Sequence, residues 1–152
     1  MIKYKMPLAI LLADFYKVGH VFQYPQGTTK VFSNFTPRKS RIPGVNKVVF
    51  FGLQYFIKEY LIDYFNANFF NVPLEQVMAR YKRRVRTALF SDLETYAHIE
   101  KLHKLGYLPL VVKAVPEGTY VNMKVPAVTI YNTQEEFYWL PNFIETLLSV
   151  IL

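Results

Sequence analysis

The sequence predicts an α+β fold in which a mainly antiparallel sheet packs against helices. Two observations indicate this class. Short segments rich in β-branched and aromatic residues, bounded by Pro, Gly and Asn, predict strands near residues 30–36, 109–115, 119–123 and 125–131. Between the first strand and the others, apolar residues recur at helical spacing through residues 52–105.

The composition indicates one domain with anionic partners. A chain of 152 residues suits a single domain, and hydrophobic residues make up 52% of it while charged residues make up only 19%. Twelve Tyr and thirteen Phe exceed what a core of this size hides, so we expect some aromatic surface to meet another domain or subunit. The net charge of +7 favours phosphorylated small molecules, nucleic acid or an anionic surface as partners.

Other features indicate a soluble, cytoplasmic protein that does not enter a membrane. The chain has no cysteine, which fits the cytosol. Lys3 and Lys5 precede an apolar run, Met6 to Ala13, as in a signal peptide, but Pro7 interrupts the run and no A-x-A-like site follows. No run reaches the eighteen or so apolar residues that a membrane helix needs.

The stretch Leu11 to Pro25 predicts a capped amphipathic helix. Asp14 follows a short apolar run and suits an N-cap, where its carboxylate would accept the first free N–H groups of the helix. Tyr24 before Pro25 ends the helix. By pattern alone this is an ordinary helix with Tyr16 half buried.

A basic loop follows the first predicted strand. Pro37 ends the strand, and Arg38, Lys39 and Arg41 come next. Three cations beside a turn suit a phosphate group, bound by charge-assisted hydrogen bonds. The spacing fits a solvated basic loop better, because such loops are common.

The middle of the chain predicts three helices. The first runs from Gly52 to Phe65, and residues 66–72 form a loop. The second begins at Pro73 and runs to about Phe90, carrying the densest basic cluster. Ser91 and Glu94 form a capping box for the third, which ends near Leu105 at Gly106.

The last part predicts three strands and a long apolar helix over residues 134–152, kinked or split by Pro141. Seven residues should form the core: Leu53, Phe56, Ile57, Leu61, Val111, Val128 and Ile130. The chain stops inside the apolar helix, so we expect a truncated chain or one half of a split protein. Part of this helix should then be uncovered, at Phe137, Trp139, Leu140, Phe143, Ile144, Leu147, Leu148, Val150, Ile151 and Leu152.

Four segments in order carry a resemblance to a known family. They are LLADFYKVGHVFQYP, FFGLQYFIKEYL, LPLVVKAVPEG and NTQEEFYWLPNFIETLL. Together they resemble the N-terminal region of nicotinamide phosphoribosyltransferase, whereas residues 66–104 match only in type. The resemblance implies the N-terminal domain of such a protein over residues 1–152, without the family's catalytic α/β barrel.

The resemblance also implies a function. The family makes nicotinamide mononucleotide from nicotinamide and phosphoribosyl pyrophosphate in NAD salvage, acts as a homodimer, and uses phosphoribosyl pyrophosphate with Mg²⁺. Without the barrel the chain should be inactive alone, should bind no cofactor or metal of its own, and should pack on a barrel domain or second subunit. The sequence does not separate nicotinamide from nicotinic acid as substrate.

Three substrate-binding residues follow from the resemblance. Tyr16 matches the family's tyrosine that stacks on nicotinamide from the neighbouring subunit, and a flat pyridine is well held by an aromatic face. Asp14 lies near the same pocket, and Arg38 matches an arginine that contacts phosphate across the dimer. Phe15 departs from the family's small polar residue. No catalytic residue is assigned, and none of the three histidines matches the catalytic one: His20, His98 and His103.

Two alternatives remain. The chain is a split or remnant subunit that binds a partner without catalysing, or it is a small basic nucleic-acid-binding protein. The second rests on the basic residues between Arg80 and Arg86, with Tyr81 among them. It is disfavoured because the basic residues surround a helix and do not form one stripe, and because no nucleic-acid motif is present.

Overall fold

The N-terminal segment forms two short 3₁₀ helices in the computed structural model, which describes the backbone of residues 6–151 and the side chains of residues 6–149. The first helix is Ala9–Leu11 and the second is Phe15–Phe22. Asp14 occupies the predicted N-cap position of the second helix, but its side chain makes no capping hydrogen bond, so the predicted role of its carboxylate is wrong. Its carboxylate accepts a hydrogen bond from Thr146 instead. The predicted signal-like lysines, Lys3 and Lys5, lie outside the described residues.

Two antiparallel sheets confirm the predicted α+β class. β1 (Phe32–Phe35), β5 (Val128–Asn132) and β3 (Leu110–Ala114) form one sheet in the order β1-β5-β3. β2 (Lys47–Val49) and β4 (Tyr120–Asn122) form a second, two-stranded sheet. The central strand β5 alternates buried and half-buried residues, with Val128 and Ile130 facing the core. Each predicted strand is present and shorter than predicted by one to three residues at each end, apart from β5, which continues one residue further, to Asn132.

The helical segment after β2 is longer than predicted. α1 (Leu53–Tyr55) begins after Gly52, whose φ of +100° is readily adopted only by glycine. The segment continues as π-helix over Phe56–Tyr64 and Asn66–Phe70, so the predicted loop over 66–72 is wrong in all but its last two residues. Burial of Phe65 and Phe69 in the core holds these residues in helical form.

The next two helices match the prediction except at one boundary. α2 (Leu74–Leu89) agrees closely. α3 (Ala97–Leu105) begins six residues after Ser91, so the predicted capping box is wrong. Asp92 decides this boundary: its carboxylate accepts hydrogen bonds from Arg86 and from the hydroxyl of Tyr96, which keeps residues 91–96 outside the helix. α3 ends at Gly106 as predicted, with φ +82°.

The C-terminal helix is split, one of the two outcomes predicted from Pro141. A 3₁₀ turn at Glu135–Phe137 is followed by α4 (Leu140–Phe143) and α5 (Glu145–Ile151). Pro141 lies in the first turn of α4, where a backbone N–H has no partner within the helix. The missing N–H of proline therefore costs no hydrogen bond there. The buried apolar side chains before Glu145 join one part of the core, and Leu148 joins another.

The core consists of two clusters, and it covers the C-terminal apolar residues. One cluster contains α2, α3 and α4 side chains, and the other lies under the sheets and contains Leu53, Phe56, Val128 and Ile130. Ile57, Leu61 and Val111, also predicted as core, are only half-buried. The predicted uncovered surface is wrong for the described side chains: Leu147 is half-buried, and the buried ones are Phe137, Trp139, Leu140, Phe143, Ile144 and Leu148. The side chains of Val150 and Ile151 and the whole of Leu152 lie outside the described part.

Within residues 6–151 no helix is long and apolar enough to cross a membrane. The exposed aromatic residues are not those of the C-terminal helices. They include Tyr16, Phe32, Phe51, Tyr55, Phe90 and Tyr120, each more than half exposed. The expected excess of aromatic surface is therefore present at different residues from those predicted.

Candidate functional site

A cleft of about 660 Å³ brings two of the three predicted site residues together. Asp14 lies on one side, at the start of the second 3₁₀ helix, and Arg38 lies on the loop that follows β1. The start of α5 and the strand β1 complete the walls. The lining residues are Asp14, Ser33, Asn34, Phe35, Thr36, Arg38, Ile130, Glu145, Thr146, Leu148 and Ser149.

Asp14 is fixed in the cleft by reciprocal hydrogen bonds with Thr146. The backbone N–H of Asp14 donates to Thr146 Oγ1 at 3.0 Å, and the same hydroxyl donates to Asp14 Oδ2 at 3.0 Å. These bonds join residues that are 132 positions apart in the chain. The carboxylate therefore has a defined position at the edge of the cleft, and no described residue donates a hydrogen bond to its other oxygen, which can accept one from a ligand.

A buried lysine fixes the helix that carries Asp14 and Tyr16. Lys17 is only 2% exposed, and its Nζ donates to the backbone carbonyl of Asn142 at 2.5 Å and forms an ion pair with Glu145. Glu145 lines the cleft and is about half exposed, so the ion pair lies at the boundary between core and solvent. A buried ammonium group needs such partners, because burial without them is very costly.

Asn142 extends this polar network to the first strand. Its Nδ2 donates to the hydroxyl of Tyr24 at 2.8 Å, and its Oδ1 accepts a hydrogen bond from Ser33. Burial is the main cause that raises the pKa of Tyr24, and the hydrogen bond from Asn142 opposes it. The network thus joins the second 3₁₀ helix, β1 and the α4–α5 junction around one side of the cleft.

Arg38 is exposed and available to a ligand. Its loop is anchored one residue earlier, where the carbonyl of Pro37 accepts a hydrogen bond from the backbone N–H of Lys124 at 2.6 Å. Among the described residues no carboxylate oxygen lies within 4.0 Å of its guanidinium. Lys39 and Arg41, on the same loop, do not line the cleft.

Tyr16 lies outside the cleft. Its side chain is 62% exposed, and the centroids of its ring and the His20 ring are 5.0 Å apart. The half-buried position predicted for an ordinary helix is therefore wrong. Exposure leaves one face of the ring free for contact with a group outside this chain.

The histidines differ in their surroundings. His20 lines a smaller cleft of about 220 Å³ with Gln23, Tyr24 and Asn142. His98 packs edge-on against Trp139, and burial lowers its pKa to about 4. His103 Nε2 lies 2.8 Å from the carbonyl of Val72. Within residues 6–151 no group of three His, Asp or Glu side chains is arranged to hold a metal ion.

The cleft is suited to binding a polar ligand with a phosphate group. Arg38 supplies a forked donor for phosphate oxygens, and Asp14 and Glu145 supply acceptors for ligand hydroxyls or N–H groups. Further hydroxyl groups line the wall, from Ser33, Thr36, Thr146 and Ser149. Sequence reasoning missed Lys17, Asn142 and Thr146. Lys17 lies three positions before His20, on the polar side of the short helix, so the pattern gave no signal that it is buried.

Comparison with known proteins identifies the family. Residues 9–112 match the family model of the nicotinamide phosphoribosyltransferase N-terminal domain. The chain belongs to this family. It is 53% identical over 144 residues to a nicotinamide phosphoribosyltransferase of Acinetobacter baylyi, which covers 91% of this chain. It is 30% identical to proteins of the same name from Xanthomonas campestris pv. campestris, over 142 residues, and Mycoplasma genitalium, over 154 residues, each covering 91% of this chain.

The chain corresponds to the N-terminal part of these nicotinamide phosphoribosyltransferases. It spans 28% of the Acinetobacter protein, 27% of the Xanthomonas protein and 33% of the Mycoplasma protein. Asp14, Tyr16 and Arg38 all lie within the residues that match the family model, whereas Glu145 and Thr146 lie beyond them. The resemblance found in the four sequence segments is confirmed.

Proposed function

We propose that this chain forms the N-terminal, substrate-binding part of an enzyme that converts nicotinamide and phosphoribosyl pyrophosphate to nicotinamide mononucleotide and pyrophosphate. The relatives are named for this activity. The observation that carries the proposal is that an anchored Asp14 and Arg38 line one cleft and that Arg38 has no carboxylate partner among the residues that the structure describes. A second chain segment, either a barrel domain or a second subunit, completes the site.

Each cleft residue has a binding role in this proposal. Arg38 binds a phosphate of phosphoribosyl pyrophosphate by two parallel charge-assisted hydrogen bonds. Asp14 accepts a hydrogen bond from the substrate at the cleft edge. Mg²⁺ would be bound together with the substrate phosphoribosyl pyrophosphate. Stabilisation of the developing charge on the ribose and departure of pyrophosphate require groups from the completing segment.

Tyr16 serves a neighbouring subunit. It is exposed and lies outside the cleft of its own chain, as a residue that stacks on nicotinamide in a partner's site must. Lys17, the next residue in the chain, fixes the helix so that the ring of Tyr16 keeps its position. The enzyme is a homodimer in this proposal, and it works in the cytoplasm.

The test is substitution of Arg38 in the complete enzyme that contains this chain. Arg38→Ala should raise the KM for phosphoribosyl pyrophosphate about tenfold to a hundredfold, because a hydrogen bond between charged groups is lost. Arg41→Ala is the matched control, since it removes the same charge from the same loop outside the cleft. Equal effects of the two variants, or an Arg38 effect confined to nicotinamide, would contradict the proposed role.

The same enzyme separates this proposal from the split-subunit alternative. A single polypeptide containing this chain should catalyse the reaction without any added protein. Activity that appears only after addition of a separate barrel chain would instead identify this chain as one subunit of a split enzyme.

A further inference from the structure

A second cleft, of about 410 Å³, lies between the N-terminal segment and α2 and carries three arginines. One wall is formed by Pro7, Leu8 and Leu11, and the other by α2. The α2 residues are Arg80, Arg83, Arg84 and Thr87. Their spacing of three and four places them on one face of the helix.

Within the described part of the chain, none of these three guanidinium groups has a carboxylate partner within 4.0 Å. Asp92 pairs with Arg86, and Glu100 pairs with Lys104. Like charges three and four residues apart destabilise a helix. The cluster therefore carries an electrostatic cost that an anion would remove.

Neutral groups hold two of the arginines in place. Arg80 Nη2 donates to the backbone carbonyl of Met6 at 2.6 Å, and the guanidinium carbon of Arg84 lies 5.6 Å from the centroid of the Phe15 ring. These contacts restrict the side chains and leave their charge uncompensated. An anion that enters the cleft meets donors that are already positioned, which lowers the entropic cost of binding.

The remaining cations of α2 are directed elsewhere. Lys82 lies 5.2 Å above the ring of Tyr96, and Arg86 pairs with Asp92. The basic residues of this helix therefore divide into two groups, and only Arg80, Arg83 and Arg84 share a cavity. A concave site with three cations and an apolar wall suits a small ligand better than a nucleic-acid backbone, which needs an extended track of cations.

We propose that this cleft is a second anion site, separate from the cleft of Asp14 and Arg38, which binds a phosphorylated small molecule. Guanidinium groups bind phosphate oxygens in pairs, the hydroxyl of Thr87 supplies one more donor, and the wall of Pro7, Leu8 and Leu11 accommodates an apolar part of the ligand. The site does not depend on the proposed enzymatic function.

Titration calorimetry with inorganic triphosphate tests the site. The starting protein is the Arg38→Ala variant, so that the first cleft does not contribute. Adding Arg83→Ala and Arg84→Ala should weaken triphosphate binding tenfold or more. The matched control adds Lys58→Ala and Lys82→Ala, which remove the same charge outside the cleft, and should change the affinity by less than threefold.

Two results would overturn the proposal. One is an equal loss of affinity in both double substitutions, which would indicate a general effect of net charge. The other is tighter binding of a single-stranded oligonucleotide than of triphosphate, reduced by both substitutions, which would indicate a nucleic-acid surface. Because the arginines are on a helix surface and Ala is a good helix former, all variants should fold, and circular dichroism checks this. Arg83→Lys with Arg84→Lys should retain part of the affinity, because the charge remains.

Discussion

At the scale of single residues, Asp14, Tyr16 and Lys17 have different roles although they lie close together in the chain. Asp14 faces the cleft, Tyr16 faces solvent, and Lys17 is buried. A tight 3₁₀ helix with about three residues per turn spreads successive side chains around its axis. One short segment therefore supplies a cleft residue, an exposed aromatic ring and an internal anchor.

Tyr16→Ala should raise the KM for nicotinamide in the complete enzyme. Loss of stacking contributes roughly 0.5–1.5 kcal/mol beyond area burial, which corresponds to a change of about twofold to tenfold. Steady-state kinetics measures the effect, and Tyr16→Phe, which keeps the ring, should restore most of it. Tyr107→Ala, at another exposed tyrosine, is the control. Unchanged kinetics would remove Tyr16 from the site.

Because of His98, we expect the protein to lose stability in mild acid. Burial lowers its pKa to about 4, whereas an unfolded histidine has a pKa near 6.5. Between these values the unfolded chain binds a proton that the folded chain excludes, so stability is full above pH 6.5 and falls as the pH approaches 4. The loss should reach at most about 3 kcal/mol.

Urea unfolding over a pH series measures this loss. His98→Phe keeps a ring against Trp139 and should flatten the dependence between pH 6.5 and 4. Asp92 and Glu100 have lowered pKa values, mainly because they accept hydrogen bonds from Arg86 and Lys104. Their contribution to stability is therefore lost at a lower pH than that of His98. An unchanged slope in the variant would show that another group is responsible.

At the scale of elements, polar contacts join segments that are distant in sequence. Asn132, at the end of β5, is buried. It accepts a hydrogen bond from the N–H of Val31 and donates to the carbonyls of Thr29 and Gln134. Lys17 joins the second 3₁₀ helix to the α4–α5 junction in the same way. These contacts, together with the sheet register, set the shape of the cleft.

Lys17→Met should lower the free energy of unfolding by about 1–3 kcal/mol, because a hydrogen bond and an ion pair of a buried charge are lost while the side-chain volume is kept. The matched control is Lys101→Met. Lys101 pairs with Glu136, both are exposed, and the loss should be about 1 kcal/mol or less. Urea titration compares the two variants. An equal loss of unfolding free energy would show that the contacts of Lys17 stabilise the protein no more than an exposed ion pair does.

At the scale of the whole molecule, one group of exposed apolar residues lies on and next to the two-stranded sheet. Val49, Phe51, Tyr55 and Tyr120 are each more than half exposed, and Val49 pairs with Tyr120 across the sheet. Exposed apolar patches favour association. The net charge of +7 opposes association, and physiological salt screens charges over about 8–10 Å.

The isolated 152-residue chain should therefore self-associate, more strongly as salt rises, and sedimentation across a salt series measures this. Phe51→Ser with Tyr120→Ser should reduce the association. Phe90→Asn is the control, since Phe90 is 93% exposed at the end of α2 and Asn tolerates its positive φ. A monodisperse monomer at every salt concentration would contradict the prediction.

The sequence by itself determined the fold class and the positions of the strands, because alternation and turn residues are properties of neighbouring residues. The family followed from the resemblance of four segments to known proteins, and the choice of Asp14, Tyr16 and Arg38, which rests on the same resemblance, stays a prediction. Only the tertiary structure decided that residues 66–70 are helical, that Ser91 caps nothing and that the C-terminal side chains are covered. It also decided that Thr146 and Lys17 hold the walls of the first cleft in place and that three arginines share a second cleft. Each of these depends on contacts between residues far apart in the chain, and such contacts leave no periodic signal in the sequence.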